Sequence, residues 1–247
     1  RKQVRAILLK DWIVFWRDPA QWTQFVIFFG LLGIYFLNLK SLHQPNLDDR
    51  FWINVIAFLN LTSLSLILAT LTTRFIFPQF SLEGRRLWLV TMAPVTLFEV
   101  IWSKFWTSAI ASGTLTLGLM LLSFHSLRLE WFMRGLIAFS IVGMSMGLSS
   151  LAISLGVLFP NLKQDNPARI VSGFGGTLCL VLSLAYIVVV ILAEAIPVHF
   201  LYVQRAFSHF RFASVLTLVY IMMVLVHAAV TAIPLALAAR QLRTLEL

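Results

Sequence analysis

Long apolar stretches separated by short polar clusters set the pattern of this chain. Six stretches, 19–39, 51–73, 105–127, 135–162, 170–193 and 212–239, contain no Asp, Glu, Lys or Arg. A helix needs about 20 mostly apolar residues to cross a hydrocarbon layer about 30 Å thick. In lipid only a helix closes all its backbone hydrogen bonds within one segment, so each stretch predicts a transmembrane helix. The predicted fold is an all-α integral membrane protein with about six spans, at about 20–39, 51–73, 101–123, 135–158, 170–193 and 212–239. Residues 87–98 are apolar but too few to cross.

The segments outside the spans carry their own signals. Val4, Ile7, Leu8, Trp12 and Phe15 recur at helical spacing, with Arg5, Lys10, Asp11 and Arg17 on other faces. They predict an amphipathic helix over about 3–17, lying at the membrane surface. Asp18-Pro19 ends it, because the residue before a proline is pushed out of helical geometry. The inner loop 74–104 holds a second short helix, with Ser81 as its cap, Glu83 in its first turn and Pro94 as its stop. Its apolar face over 87–92 requires a cover, either lipid headgroups or a partner. The segment 194–211 is expected to be interfacial or partly re-entrant, with Glu194 at the edge of the fifth span. No repeat or linker divides the chain, so 1–247 reads as one domain. Because it starts on Arg1, it is read as a candidate segment of a longer protein.

Composition agrees with the pattern. The chain is 60% hydrophobic and 12% charged, with a mean hydropathy of +0.89, whereas soluble chains are about one quarter charged. The net charge of +9 is explained by topology. With the N-terminus inside, thirteen of the 19 Lys and Arg fall in cytoplasmic segments and six in outer ones. That excess predicts cytoplasmic N- and C-termini and an attraction to anionic lipid. Nucleic acid is not an expected partner, since no basic and aromatic stripe lies outside the membrane. The one cysteine, Cys179, rules out an intrachain disulfide.

Candidate chemistry is sparse. A loop that cradles ATP phosphates needs glycines followed by Gly-Lys-Ser/Thr, and the chain has no Gly-Lys pair. The five histidines show no metal-ligand spacing, so no metal site is expected. His227 lies deep in a span, where hydrogen bonding to a neighbouring helix is the expected role. Gly143 and Gly147, four apart, have the spacing of a close helix contact.

The loop Phe80-Ser-Leu-Glu-Gly-Arg-Arg-Leu-Trp-Leu-Val-Thr-Met-Ala-Pro94, with Lys104 at the foot of the next span, resembles the first inner loop of ABC-2-type permeases. The helix closing on Arg17-Asp18-Pro19 and the turn from Phe159 to Arg169 are similar to segments of the same family. The resemblance implies a permease subunit of an ATP-driven exporter in a bacterial plasma (inner) membrane, moving an amphiphilic or hydrophobic substrate. It implies no ATPase site in this chain, with ATP and Mg held by a separate ABC ATP-binding subunit. A second permease half, as homodimer or pseudo-dimer, is also implied. Glu83, Gly84, Arg85, Arg86, Leu87 and Trp88 would couple to the ATPase. Trp12, Arg17, Asp18 and Pro19 would belong to the interfacial helix. Phe29, Asn54, Phe58, Asn60, Thr62 and Tyr186 would line the path. An ATP-independent carrier and a membrane-embedded lipid-modifying enzyme are the alternatives.

Overall fold

The computed structural model describes residues 50–83, 96–126, 131–164, 166–202 and 209–245, together with Ile13, Arg17, Val26 and Gly30. Every regular element among them is helical. The elements are α1 (Arg50–Leu71), a π turn (Thr72–Ile76), α2 (Gln79–Glu83), α3 (Leu97–Ser126), α4 (Trp131–Leu158), α5 (Pro167–Val171), α6 (Phe174–Tyr202) and α7 (His209–Leu245). Five helical segments are long and apolar enough to cross a membrane. The expected first span, about 20–39, lies outside the described residues except for Val26 and Gly30, which are helical.

Helix α4 is the centre of the bundle. Of its most apolar window 72% is buried, against 17% for α7, so α4 is enclosed by protein and α7 is largely uncovered. Small residues explain how α4 collects neighbours, because they let backbones approach closely where lipid offers no hydrophobic drive for association. Gly143 faces the His227 ring of α7, and Gly147 faces the Tyr186 hydroxyl of α6. Ser149 and Ser112 of α3 lie 3.4 Å apart at their hydroxyls, and Ser150 donates to the Thr231 carbonyl of α7 at 2.7 Å. The glycine pair expected to pack helices does so.

Several boundaries differ from the sequence expectation. The second span does not end near Thr73. Its helical path widens into the π turn, where the Phe77 amide reaches back to the Thr72 carbonyl at 3.0 Å, and then continues as α2. Pro78 supplies the reason: its ring clashes with the carbonyl four residues earlier, which favours a locally wider turn. Ser81 lies within α2 and accepts from the Asn161 amide at 3.0 Å instead of capping a new helix. Helix α3 is longer than the expected 101–123 at both ends, and α6 runs straight through Glu194 and Pro197 to Tyr202. The segment 194–202 is therefore the end of a long helix, and residues 203–208 lie outside the described residues. In the turn before α6, the Asn166 side chain accepts from the Ala168 amide at 3.0 Å, with Pro167 at the first helical position. This is the cap that Asn-Pro favours.

Candidate functional site

Two polar clusters interrupt the apolar interior. The first lies between α4, α6 and α7. Glu194 of α6 is 0% exposed, although a carboxyl group in an apolar bundle is costly and usually retained for function. The Ser140 hydroxyl of α4 donates to its Oε1, while Oε2 is buried without a hydrogen-bond partner. Two turns earlier on α6, the Tyr186 hydroxyl meets Nδ1 of His227, and it also lies 3.4 Å from the Gly143 carbonyl. Nε2 of His227 is buried without a partner. Phe139 and Tyr220 close the cluster, with ring centroids 5.7 Å apart and Phe139 5.8 Å from the His227 ring.

The site thus joins three helices through hydrogen bonds that lipid cannot replace. Tyr186→Phe would leave His227 without its Nδ1 partner. The expected loss is about 1 kcal/mol, within the range of interhelical hydrogen bonds in membranes, read as a lower thermal midpoint of the purified chain. An unchanged midpoint would show that the pair contributes nothing.

The second cluster lies at the other end of the bundle. Lys104 Nζ of α3 and Glu83 Oε1 of α2 are 3.0 Å apart, with side chains 5% and 10% exposed. Beside them Phe77 fits between two glycines: a Cβ on Gly156 would sit 2.5 Å from the Phe77 carbonyl oxygen, and one on Gly175 would sit 3.0 Å from the Phe77 ring.

The residues expected from the sequence to act at a site fall into separate places. Glu83 is buried against Lys104 rather than presented outward. Gly84, Arg85, Arg86, Leu87 and Trp88 lie outside the described residues, as do Trp12, Asp18, Pro19 and Phe29. Arg17 is helical and exposed. Asn54, Phe58 and Thr62 are half-buried and recur every four residues, which places them on one side of α1. Thr62 donates to the Phe58 carbonyl at 2.7 Å, and Asn54 Nδ2 is buried without a partner. Asn60 is turned into the core, donating to Ser123 at 2.6 Å. Tyr186 belongs to the Glu194 cluster.

Glu194 is the residue the sequence reading misplaced. It is not at an edge but inside α6, eight residues short of the helix end. The signal was present, since Leu192, Ala193, Ala195 and Ile196 flank it with apolar residues on both sides.

Among known proteins, a family model described as "Putative ATP-binding cassette" matches residues 1–247. The chain belongs to this family. No curated protein and no solved structure matches it. Membership corrects four expectations. The family is an ATP-binding cassette family and not the ABC-2-type permease family. The reading as an exporter permease powered only by separate subunits is therefore set aside, along with its ATP-independent and lipid-modifying alternatives. So is the expectation of a chain with no ATPase role, and with it the restriction of ATP and Mg to a partner subunit. The physical reason for the error is that loop resemblance reports how a membrane segment is built, not where nucleotide binds. The cassette family has no Gly-Lys pair in this member. Any nucleotide this chain holds is therefore held without a loop of the Gly-Lys-Ser/Thr kind.

Proposed function

We propose that this chain is a membrane-embedded component of an ATP-binding cassette system. The carrying observation is that the family model extends over a whole chain built of membrane-length helices. Six spans, the first at about 20–39, leave both termini on the cytoplasmic side, an orientation favoured by the distribution of Lys and Arg. Helix α7 has 37 residues, about 55 Å at 1.5 Å per residue, and so extends beyond a hydrocarbon layer of about 30 Å. Its last turns, with Arg240 and Arg243, reach the cytoplasmic side in this orientation.

The chain works with other components of the same system and with a second membrane-embedded half. Glu83 anchors the start of the inner loop to α3 through Lys104, and Gly84 to Trp88 form the part of that loop that contacts the nucleotide-driven machinery. Arg17, with Trp12, Asp18 and Pro19, holds the N-terminal helix at the inner surface. The α1 face bearing Asn54, Phe58 and Thr62 lines a path through the bundle.

Gentle purification of the tagged full chain from native membranes tests this reading. The preparation is expected to hydrolyse Mg-ATP, and a photoreactive ATP analogue is expected to label it. Label on the band of this chain is what the family description predicts. A preparation with neither hydrolysis nor label overturns the proposal.

A further inference from the structure

Glu194 has a hydrogen-bonding oxygen that no described residue uses. We propose that Glu194 is a proton-exchange site of the membrane core, its Oε2 binding and releasing a proton while Ser140 holds Oε1. The inference rests on the membrane placement proposed above but not on the role of ATP.

Three observations support it. The carboxyl group is wholly enclosed, so a charge there would be shielded from water, and no described side chain supplies a counter-charge. Among the residues whose side chains are described, the charged groups of the neighbouring helices lie elsewhere. Helix α1 has only Arg50, at its start, and α3 has Glu99 and Lys104 toward the opposite end, with His125 near its other end. Arg134 of α4 lies over the Phe124 and Trp131 rings, at 6.0 and 5.4 Å. Among the residues whose side chains are described, the titratable groups of this cluster are Tyr186 on its own helix, two turns away, and Tyr220 and His227 on α7.

The second observation is close helix packing in the part of the cluster beside it. A Cβ at Gly143 would enter the His227 ring, and one at Gly147 would sit 2.7 Å from the Tyr186 hydroxyl oxygen. Among the described residues no group of three His, Cys, Asp or Glu could hold a metal. The third observation is that His227 Nε2, in the same cluster, is also buried and unpartnered among the described residues. Two buried titratable groups from different helices are therefore linked in one cluster, His227 through Tyr186 on the helix that carries Glu194. Proton uptake forms one O–H bond on Oε2, and release returns that proton to water when the helices part. No oxidant or other reactant is required.

Infrared difference spectroscopy of the full chain in lipid bilayers, recorded across a change of bulk pH, tests the proposal. The wild type is expected to show the C=O band of a carboxylic acid that responds to pH. Glu194→Gln, which keeps the size and the acceptor for Ser140, should lose that band. Ser140→Ala, which removes the Oε1 donor, should keep the band but displace it, and serves as the reporter where the Gln variant does not integrate. A responsive band that persists unchanged in Glu194→Gln, or no responsive band in an integrated wild type, overturns the proposal. A wild-type chain washed off the bilayers by alkaline carbonate overturns the membrane placement as well.

Discussion

Lys104→Met is expected to lower the stability of the chain by about 3 to 5 kcal/mol, the usual result of removing one partner of a buried ion pair. Lys104 is 5% exposed and Glu83 9% exposed, so Met would leave the carboxylate at a site shielded from water. The loss comes from breaking the pair at a site where the remaining carboxylate is shielded from water. Removing both charges, with Glu83→Gln and Lys104→Met together, is therefore expected to recover most of it. Thermal or denaturant unfolding of the four proteins of this cycle gives the coupling directly. If Lys104→Met unfolds like the wild type, the pair is not buried as described and does not anchor α2 to α3.

Gly156→Ala is expected to cost about 1 to 3 kcal/mol, the range for overpacking a filled core. The added methyl group would lie 2.5 Å from the Phe77 carbonyl oxygen. That oxygen belongs to the backbone just after the π turn, so relief requires α1 and α4 to separate, not a side chain to rotate. Gly135→Ala is the control, because a Cβ there meets nothing within 4 Å. It should be neutral or slightly stabilising, given the poor helix propensity of glycine. Equal losses at both positions would show that the close contact at Phe77 is not what fixes α1 against α4.

Much of the architecture was legible in the sequence because a bilayer is a demanding solvent. Runs free of charge at least 20 residues long identified each of the five membrane-length helices among the described residues. The Gly143 and Gly147 spacing identified a packing face, and His227 was recognisable as an interhelical hydrogen-bonding residue. What the pattern left out were the partners. Nothing in one dimension pairs Glu83 with Lys104, 21 residues on, or aims Asn60 at Ser123 rather than at a path. Counting only charge-free runs also placed Glu194 outside its helix, since the first acidic residue ended the run although the apolar pattern continued beyond it. The charge-free pattern ended the second span at Thr73, before Arg74, whereas the chain accommodates Pro78 by widening one turn and continuing. The loop from Phe80 to Pro94 pointed to a permease family, and the full-length family match redirected it to the ATP-binding cassette family.

The claim that joins these observations is that an ATP-dependent cycle acts on this helical bundle within a membrane. Cys179 offers a direct probe, being the only cysteine of the chain, buried in α6 with its sulfur 3.8 Å from the Thr73 hydroxyl of the π turn. Its maleimide labelling rate should be measured in native membranes with Mg-ATP, with Mg-ADP and without nucleotide. A rate changed several-fold by Mg-ATP is predicted, because a cycle that moves α6 against the π turn must expose or bury this thiol. Identical rates under all three conditions would contradict the account.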